Sequence, residues 1–436
     1  MNSPRRNPSP ARLYNALWYA ALPFALIGSA RADPQAWRER LGRCLEAHRS
    51  GGGTRRVWAH AASVGEVEAL MPILVRLEGA VGRLELHLTT MTASGREAAR
   101  RRMPQLASCR LAPFDFTGSV RAFLRHLQPH LILVAETELW PNFFIEGARH
   151  NARIAIVNGR ISPRSMPRYR LVSRTMARAL ACADRILVQT EADAARFQEL
   201  GAGCDRVVVT GNTKFDLAAS PPPTRPALVE FLRDRPVLIA GSTAQGEERL
   251  VLEAWRGLAT RFPHLALVIA PRHLERVPEV EAELHRCAAA FIRATGLNGD
   301  RPRETRILLL DTLGELRGLY RYATIAFVGG SIAPLRGGQN LGEPAAAGVP
   351  VLFGPHFENQ QLTGDALLGA GGGFVVANAP TLEAQCVRLL ADPDAHREAG
   401  RAAREVIEQR AQGAAVTVAH LLPLLDAHPA NRSETS

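Results

Sequence analysis

The chain has 436 residues, 46% of them hydrophobic and 22% charged, with a formal net charge of +11. That apolar content supports sizeable cores and excludes an intrinsically disordered chain, and the length allows about two to four domains. The positive balance favours phosphorylated partners, but the arginines are dispersed, aromatic residues make up only 6%, and no zinc-finger or ribonucleoprotein-type motif occurs, which argues against nucleic acid.

Residues 2–10 are polar and carry Arg5 and Arg6. An apolar run over 13–30 follows, flanked by Arg12 and Arg31 and containing Trp18 and Tyr19. Its composition admits a secretory signal, a buried helix, or a monotopic anchor with its rings at the headgroups. A run of about 18 residues that includes Asn15 and Pro23 is marginal for crossing a bilayer. The six cysteines (Cys44, Cys109, Cys182, Cys204, Cys287, Cys386) are far apart with no Cys-x-x-Cys, as expected of reduced thiols. Export to an oxidising space fits that poorly, so residues 1–50 are expected to form a membrane-anchor helix and a basic segment. There is no His-Glu-x-x-His and no His/Cys cluster, so no bound metal is expected.

From residue 51 onward, short β-rich apolar runs alternate with amphipathic helical stretches. Strands are expected at 57–62, 84–89, 131–135, 153–157, 185–188 and 207–210. The proline run Pro221-Pro222-Pro223 then forces an extended linker. A second series is expected at 237–240, 265–270, 289–293, 307–310, 324–328, 349–353 and 373–376, with helices to the end. The fold class is therefore α/β, with Rossmann-like domains at 51–217 and 227–426 facing a cleft. Neither half opens on Gly-x-Gly-x-x-Gly, and there is no P-loop, which weakens a dinucleotide oxidoreductase or a kinase. Two such halves point by analogy to the GT-B architecture of glycosyltransferases.

The candidate chemistry sits where strands end. Glu66 follows the first strand in His60-Ala-Ala-Ser63-Val-Gly-Glu66, at the start of a helix. Ser63-x-x-Glu66 also reads as a capping box, in which the carboxylate only closes its own helix terminus. Glu136-Thr-Glu138-Leu-Trp140-Pro-Asn142 follows the strand at 131–135, and Thr210-Gly-Asn-Thr-Lys214-Phe-Asp216 ends the first half. In the second half, Gly241-Ser-Thr243 offers backbone N–H groups to a phosphate, and Pro271-Arg272-His273 offers a guanidinium. Asp311-Thr-Leu313-Gly314-Glu315 and Gly337-Gly-Gln-Asn340-Leu341-Gly342-Glu343 follow, the latter a glycine-rich entry to a helix.

These motifs, in this order, resemble those of the 3-deoxy-D-manno-octulosonic acid (Kdo) transferases of lipopolysaccharide assembly. The resemblance implies Glu66 as general base, with Glu136 and Lys214 stabilising developing charge. It implies that Pro271, Arg272, Leu313, Gly314, Glu315, Asn340, Leu341, Gly342 and Glu343 hold cytidine monophosphate (CMP). It further implies transfer of Kdo from CMP-Kdo to a phosphorylated lipid A precursor, without cofactor or metal, at the cytoplasmic face of the inner membrane. The chain departs from the family pattern at Ala244-Gln245, where His-Glu is usual. It departs again at Gln339 and Leu341-Gly342, which stand for His and Pro-Leu. Two other readings stay open: a GT-B enzyme using a UDP-sugar, and a non-catalytic nucleotide-binding protein of the membrane surface.

Overall fold

The structure is a computed structural model and describes residues 14–15, 33–43, 54–218, 222–297, 305–334 and 336–426. The expected anchor, apart from Tyr14 and Asn15, lies outside the described residues. Among the described residues, no helix is long and apolar enough to cross a membrane. The chain divides into two compact units, one made of residues 1–217 and 411–436, the other of 218–410.

The first unit is built on seven parallel strands: β1 (Arg55–Ala61), β2 (Leu84–Thr90), β3 (Ser108–Leu111), β4 (Leu131–Ala135), β5 (Arg153–Gly159), β6 (Arg185–Val188) and β7 (Val207–Val209). Their order is β3-β2-β1-β4-β5-β6-β7, and Val57 of β1 faces Leu86 on one side and Leu131 on the other. A parallel sheet covered on both faces needs strands that are apolar throughout. Strand β4 shows why: Ile132 and Val134 enter one core with Phe143 and Phe144. Leu131, Leu133 and Ala135 enter the opposite core with Leu70, Leu74 and Leu77. Those three leucines come from the helix Val64–Ala80, where spacings of four and three residues keep them on one stripe.

Strand β3 is absent from the sequence reading. It has four residues at a sheet edge, and only Cys109 and Leu111 are buried, so its apolar signal is too short to register. The C-terminal helix Gly413–Asp426 corrects the expected second domain, 227–426. Ala414, Val418, Leu421 and Leu425 are buried in the first unit's core beside Leu70 and Ile73. Asp216 Oδ2 accepts from the Ala414 N–H at 3.1 Å, and Thr417 Oγ1 lies 3.1 Å from Thr210 Oγ1. A chain that returns to an earlier core leaves no local trace of doing so.

The second unit holds a second parallel sheet: β8 (Val237–Thr243), β9 (Ala266–Pro271), β10 (Phe291–Arg293), β11 (Ile307–Leu309), β12 (Ile325–Val328), β13 (Val351–Phe353) and β14 (Gly373–Val375). Its order is β10-β11-β9-β8-β12-β13-β14. Each sheet reverses its winding once, between β1 and β4 in the first and between β8 and β12 in the second. At such a switch point the connections leave in opposite directions, and a crevice opens beyond the carboxyl ends of the strands.

Candidate active site

Glu66 follows β1 and Glu136 follows β4, so both carboxylates flank the first switch point. Ser63 caps the helix Val64–Ala80, its Oγ accepting from the Glu66 N–H at 3.4 Å. Glu66 Oε2 in turn accepts from the Ala62 N–H at 2.7 Å, and Ser63 Oγ donates to Oε1 at 3.3 Å. The capping interaction is therefore present, and any proton transfer must be performed by a carboxylate that also closes its own helix. Burial is the main reason its pKa is pushed up to about 7, with Glu138 and Glu136 adding like charge while the Ala62 N–H and His60 pull it down. A carboxyl poised near neutrality is matched to taking a proton at physiological pH.

Glu136 sits at φ 48°, a left-handed conformation that costs a non-glycine residue energy. Two groups hold its Oε1: Lys214 Nζ at 2.8 Å and Asn158 Nδ2 at 3.3 Å. Asn158 is itself at φ 51°, and its Oδ1 accepts from the Thr213 N–H at 3.1 Å. One buried side chain thus ties the exit of β4 to the loop that delivers Lys214. A Cβ on Gly65 would stand 3.8 Å from Lys214 Nζ, which puts the ammonium beside the turn that opens the Glu66 helix. Glu66, Glu136 and Lys214, predicted separately, are brought together by the sheet.

Glu138 accepts from the Trp140 indole N–H at 2.7 Å, and His60 Nε2 lies 3.8 Å away, an electrostatic contact rather than a hydrogen bond. Burial raises its pKa, but His60 and the indole outweigh that and leave it below the usual carboxylate value. Glu138 therefore stays ionised beside Glu66. Asn158 and the Glu138 environment were not singled out from sequence. An asparagine at a strand end carries no periodic signal, and its backbone angle is set only in the fold.

The predicted nucleotide contacts lie in the second unit, most of them at the carboxyl ends of β9, β11 and β12. Pro271 is the buried last residue of β9, and Arg272 after it is exposed, with its N–H donating to Thr243 O at 3.0 Å. Leu313 and Gly314 (φ 86°) form an exposed loop after β11. Glu315 is engaged by Arg225 at 3.1 and 3.3 Å and by the Thr312 hydroxyl. Asn340 Oδ1 accepts from the Gly342 N–H at 2.9 Å, Leu341 and Gly342 are buried, and Glu343 is half-buried in the helix Gly342–Ala346. Just beyond the Gly241-Ser-Thr243 turn expected to face a phosphate, the N–H groups of Ala244, Gly330, Ser331 and Ile332 donate to the buried carboxylate of Glu247. Glu247 was missed because acids after Gly246 read as ordinary partners of a helix N-terminus.

Two parallel sheets of this kind recur in solved structures of the GT-B-like class. The UDP-GlcNAc 2-epimerase of Neisseria meningitidis bound to UDP-GlcNAc covers 84% of this chain and 100% of its own, with a TM-score of 0.60 at 14% identity. A glycosyltransferase from Rickettsia africae covers 88% and 100%, with a TM-score of 0.54 at 12% identity. Likeness at that identity shows the fold alone, and it defines the class.

Sequence relatives narrow it. The profile of the 3-deoxy-D-manno-octulosonic-acid transferase (kdotransferase) family matches residues 35–217. The 3-deoxy-D-manno-octulosonic acid transferase of Bordetella pertussis is 35% identical over 358 residues, covering 80% of this chain and 82% of its own. That of Haemophilus influenzae is 33% identical, covering 80% and 83%. The chain belongs to the Kdo transferase family and is a glycosyltransferase.

Proposed function

We propose that this enzyme moves Kdo from CMP-Kdo to a phosphorylated lipid A precursor, lipid IVA, in lipopolysaccharide biosynthesis, with inversion at the anomeric centre. The observation that carries the reading is the meeting of Glu66, Glu136 and Lys214 at the first sheet's switch point, in a chain of this family. Glu66 takes the proton of the acceptor hydroxyl as its oxygen bonds to the anomeric carbon. The bond from that carbon to the phosphate oxygen breaks, and CMP leaves with the electron pair. Lys214 and Glu136 stabilise the charges that develop. Arg272, Glu315, Asn340 and Glu343, with backbone at Pro271, Leu313, Gly314, Leu341 and Gly342, hold CMP. One base attacking opposite the leaving group accounts for inversion.

The site of action in this reading is the cytoplasmic face of the inner membrane, with the apolar run over 13–30 as anchor and a basic segment after it. Two observations support it. Asn15, within the apolar run, accepts from Asn142 at 2.8 Å, on the helix that follows the Glu138 loop. Between Arg160 and Arg178 six exposed arginines and no acid flank Leu171 and Val172, which are 87% and 47% exposed. Basic residues around exposed apolar side chains suit an anionic lipid surface. Tyr169 of the same segment donates to Thr137 O at 3.2 Å, so this surface borders the carboxylates.

The test is transfer by the full chain with CMP-Kdo and lipid IVA, read by product mass and CMP release. The expected products carry added Kdo, and CMP competes where UDP does not. Competition by UDP, or no mass gain, would favour a UDP-sugar enzyme instead.

A further inference from the structure

The geometry points to Glu247 as the positioning residue of the donor site, a built-in anion that sets the two loops at the second sheet's switch point before any nucleotide arrives. The inference rests on the donor reading above and adds to it a residue that contacts no substrate. Loop Ala244–Gly246 leaves β8, and loop Gly329–Ile332 leaves β12, the two strands between which the winding reverses. Backbone amides gathered at such a place form an anion-binding concavity. Here a side chain of the protein fills it. Glu247 is 3% exposed, and its Oε2 accepts from Ala244 N–H at 2.7 Å and Gly330 N–H at 2.8 Å. Its Oε1 accepts from Ser331 N–H and Ile332 N–H, both at 3.0 Å.

Four donors on two oxygens specify a carboxylate. An amide of the same shape would turn its NH2 against two of the N–H groups. Gly329 is required for the same reason, since a Cβ there would stand 2.5 Å from Glu247 Oε2 and 2.6 Å from Thr243 Cα.

The clamped loops lead directly to the proposed nucleotide contacts. Gly330 O accepts from Gly338 N–H at 2.8 Å and Gly329 O from Gln339 N–H at 3.2 Å, just ahead of Asn340. On the other side Thr243 O accepts from Arg272 N–H at 3.0 Å. The neighbouring Glu248 braces that side, accepting from Thr243 Oγ1 at 2.8 Å and from Arg276 at 2.7 and 3.0 Å. One helix start therefore fixes both the Asn340–Glu343 wall and the Arg272 wall. The donor's phosphate must then be met by Arg272 and the remaining loop groups, because these four amides are already satisfied.

The experiment is Glu247→Gln in the full chain, reading CMP affinity, the KM for CMP-Kdo and for the acceptor, and the melting temperature. The expected result is CMP affinity and donor KM weakened by about tenfold or more, with acceptor KM unchanged, because loop displacement of ~1 Å misplaces contacts that far. A merely structural role would lower the melting temperature and the active fraction while leaving both KM values alone, and that outcome, like folded Glu247→Gln with wild-type CMP affinity, overturns the assignment. Should the variant fail to fold, hydrogen exchange on the wild type decides. The amides of Gly330, Ser331 and Ile332 are expected to be protected without CMP. Protection that appears only on adding CMP would mean the donor, and not Glu247, fills the nest. Wild-type protein indifferent to CMP would sink the donor reading itself, a result distinct from a variant that loses nothing.

Discussion

Replacing Glu66 by glutamine separates its two roles. The amide oxygen can still accept from the Ala62 N–H, the shorter of the two contacts its carboxylate makes in closing the helix. Retaining that bond limits the loss of stability to about 1 kcal/mol. Glutamine cannot take a proton, so the transfer rate is expected to fall about 10²- to 10⁴-fold. The assay is kcat/KM for Kdo transfer from pH 5.5 to 8.5 for both proteins, with melting curves alongside. Because the carboxyl titrates near 7, wild-type kcat/KM should fall tenfold per unit below about pH 7, and the variant's residual rate should lose that limb. Stability carries the opposite signature. The folded pKa is raised from 4.5 to about 7, so the neutral form is the favoured one; its contribution is full below pH 4.5 and is lost as pH rises through 7. A shift of that size corresponds to at most ~3 kcal/mol, and partial exposure reduces it to about 1 kcal/mol. Glu66→Gln should therefore gain on the wild type in melting temperature between pH 5 and 8. A variant keeping more than a tenth of wild-type activity, or a wild-type profile flat from pH 5.5 to 7.5, would leave Glu66 as a helix cap and nothing more.

Lys214→Gln should lower kcat by about 10- to 10³-fold with little change in melting temperature, as expected for loss of one preorganised charge at the site; an unchanged kcat would confine Lys214 to its pairing with Glu136. Removing residues 411–436 uncovers Leu70 and Ile73 and discards Val418, Leu421 and Leu425, at a cost on the order of 5 kcal/mol. Calorimetry should show the first unit melting far earlier, and an unaltered transition would refute the packing. Leu171→Glu should weaken binding to anionic vesicles by about tenfold or more, measured by sedimentation, with added salt weakening the wild type as well. Burial pushes the Cys386 thiol up to about 12 and that of Cys182 up to about 11, whereas Cys204 is exposed. Peptide mass mapping after brief maleimide treatment at pH 8 should find Cys204 modified and Cys386 intact.

Sequence by itself determined the α/β class, the ordered motifs and the family they belong to. Those are local properties: a short apolar run such as Leu131–Ala135 reads as a strand covered on both faces, and a proline run cannot continue a helix. It also left Glu66 with two meanings, since Ser63-x-x-Glu66 spells a cap whether or not a base is needed. Tertiary structure decided the rest. Glu66, Glu136 and Lys214 lie far apart along the chain and meet only because β1 and β4 are neighbours while β7 returns the chain to the same end of the sheet. The left-handed backbone of Glu136 and Asn158, the return of Gly413–Asp426 to the first core, and the amides gathered on Glu247 share one cause. Each depends on which groups distant in sequence the tertiary fold brings within about 3 Å of one another, and that is a property of the whole unit rather than of any one segment.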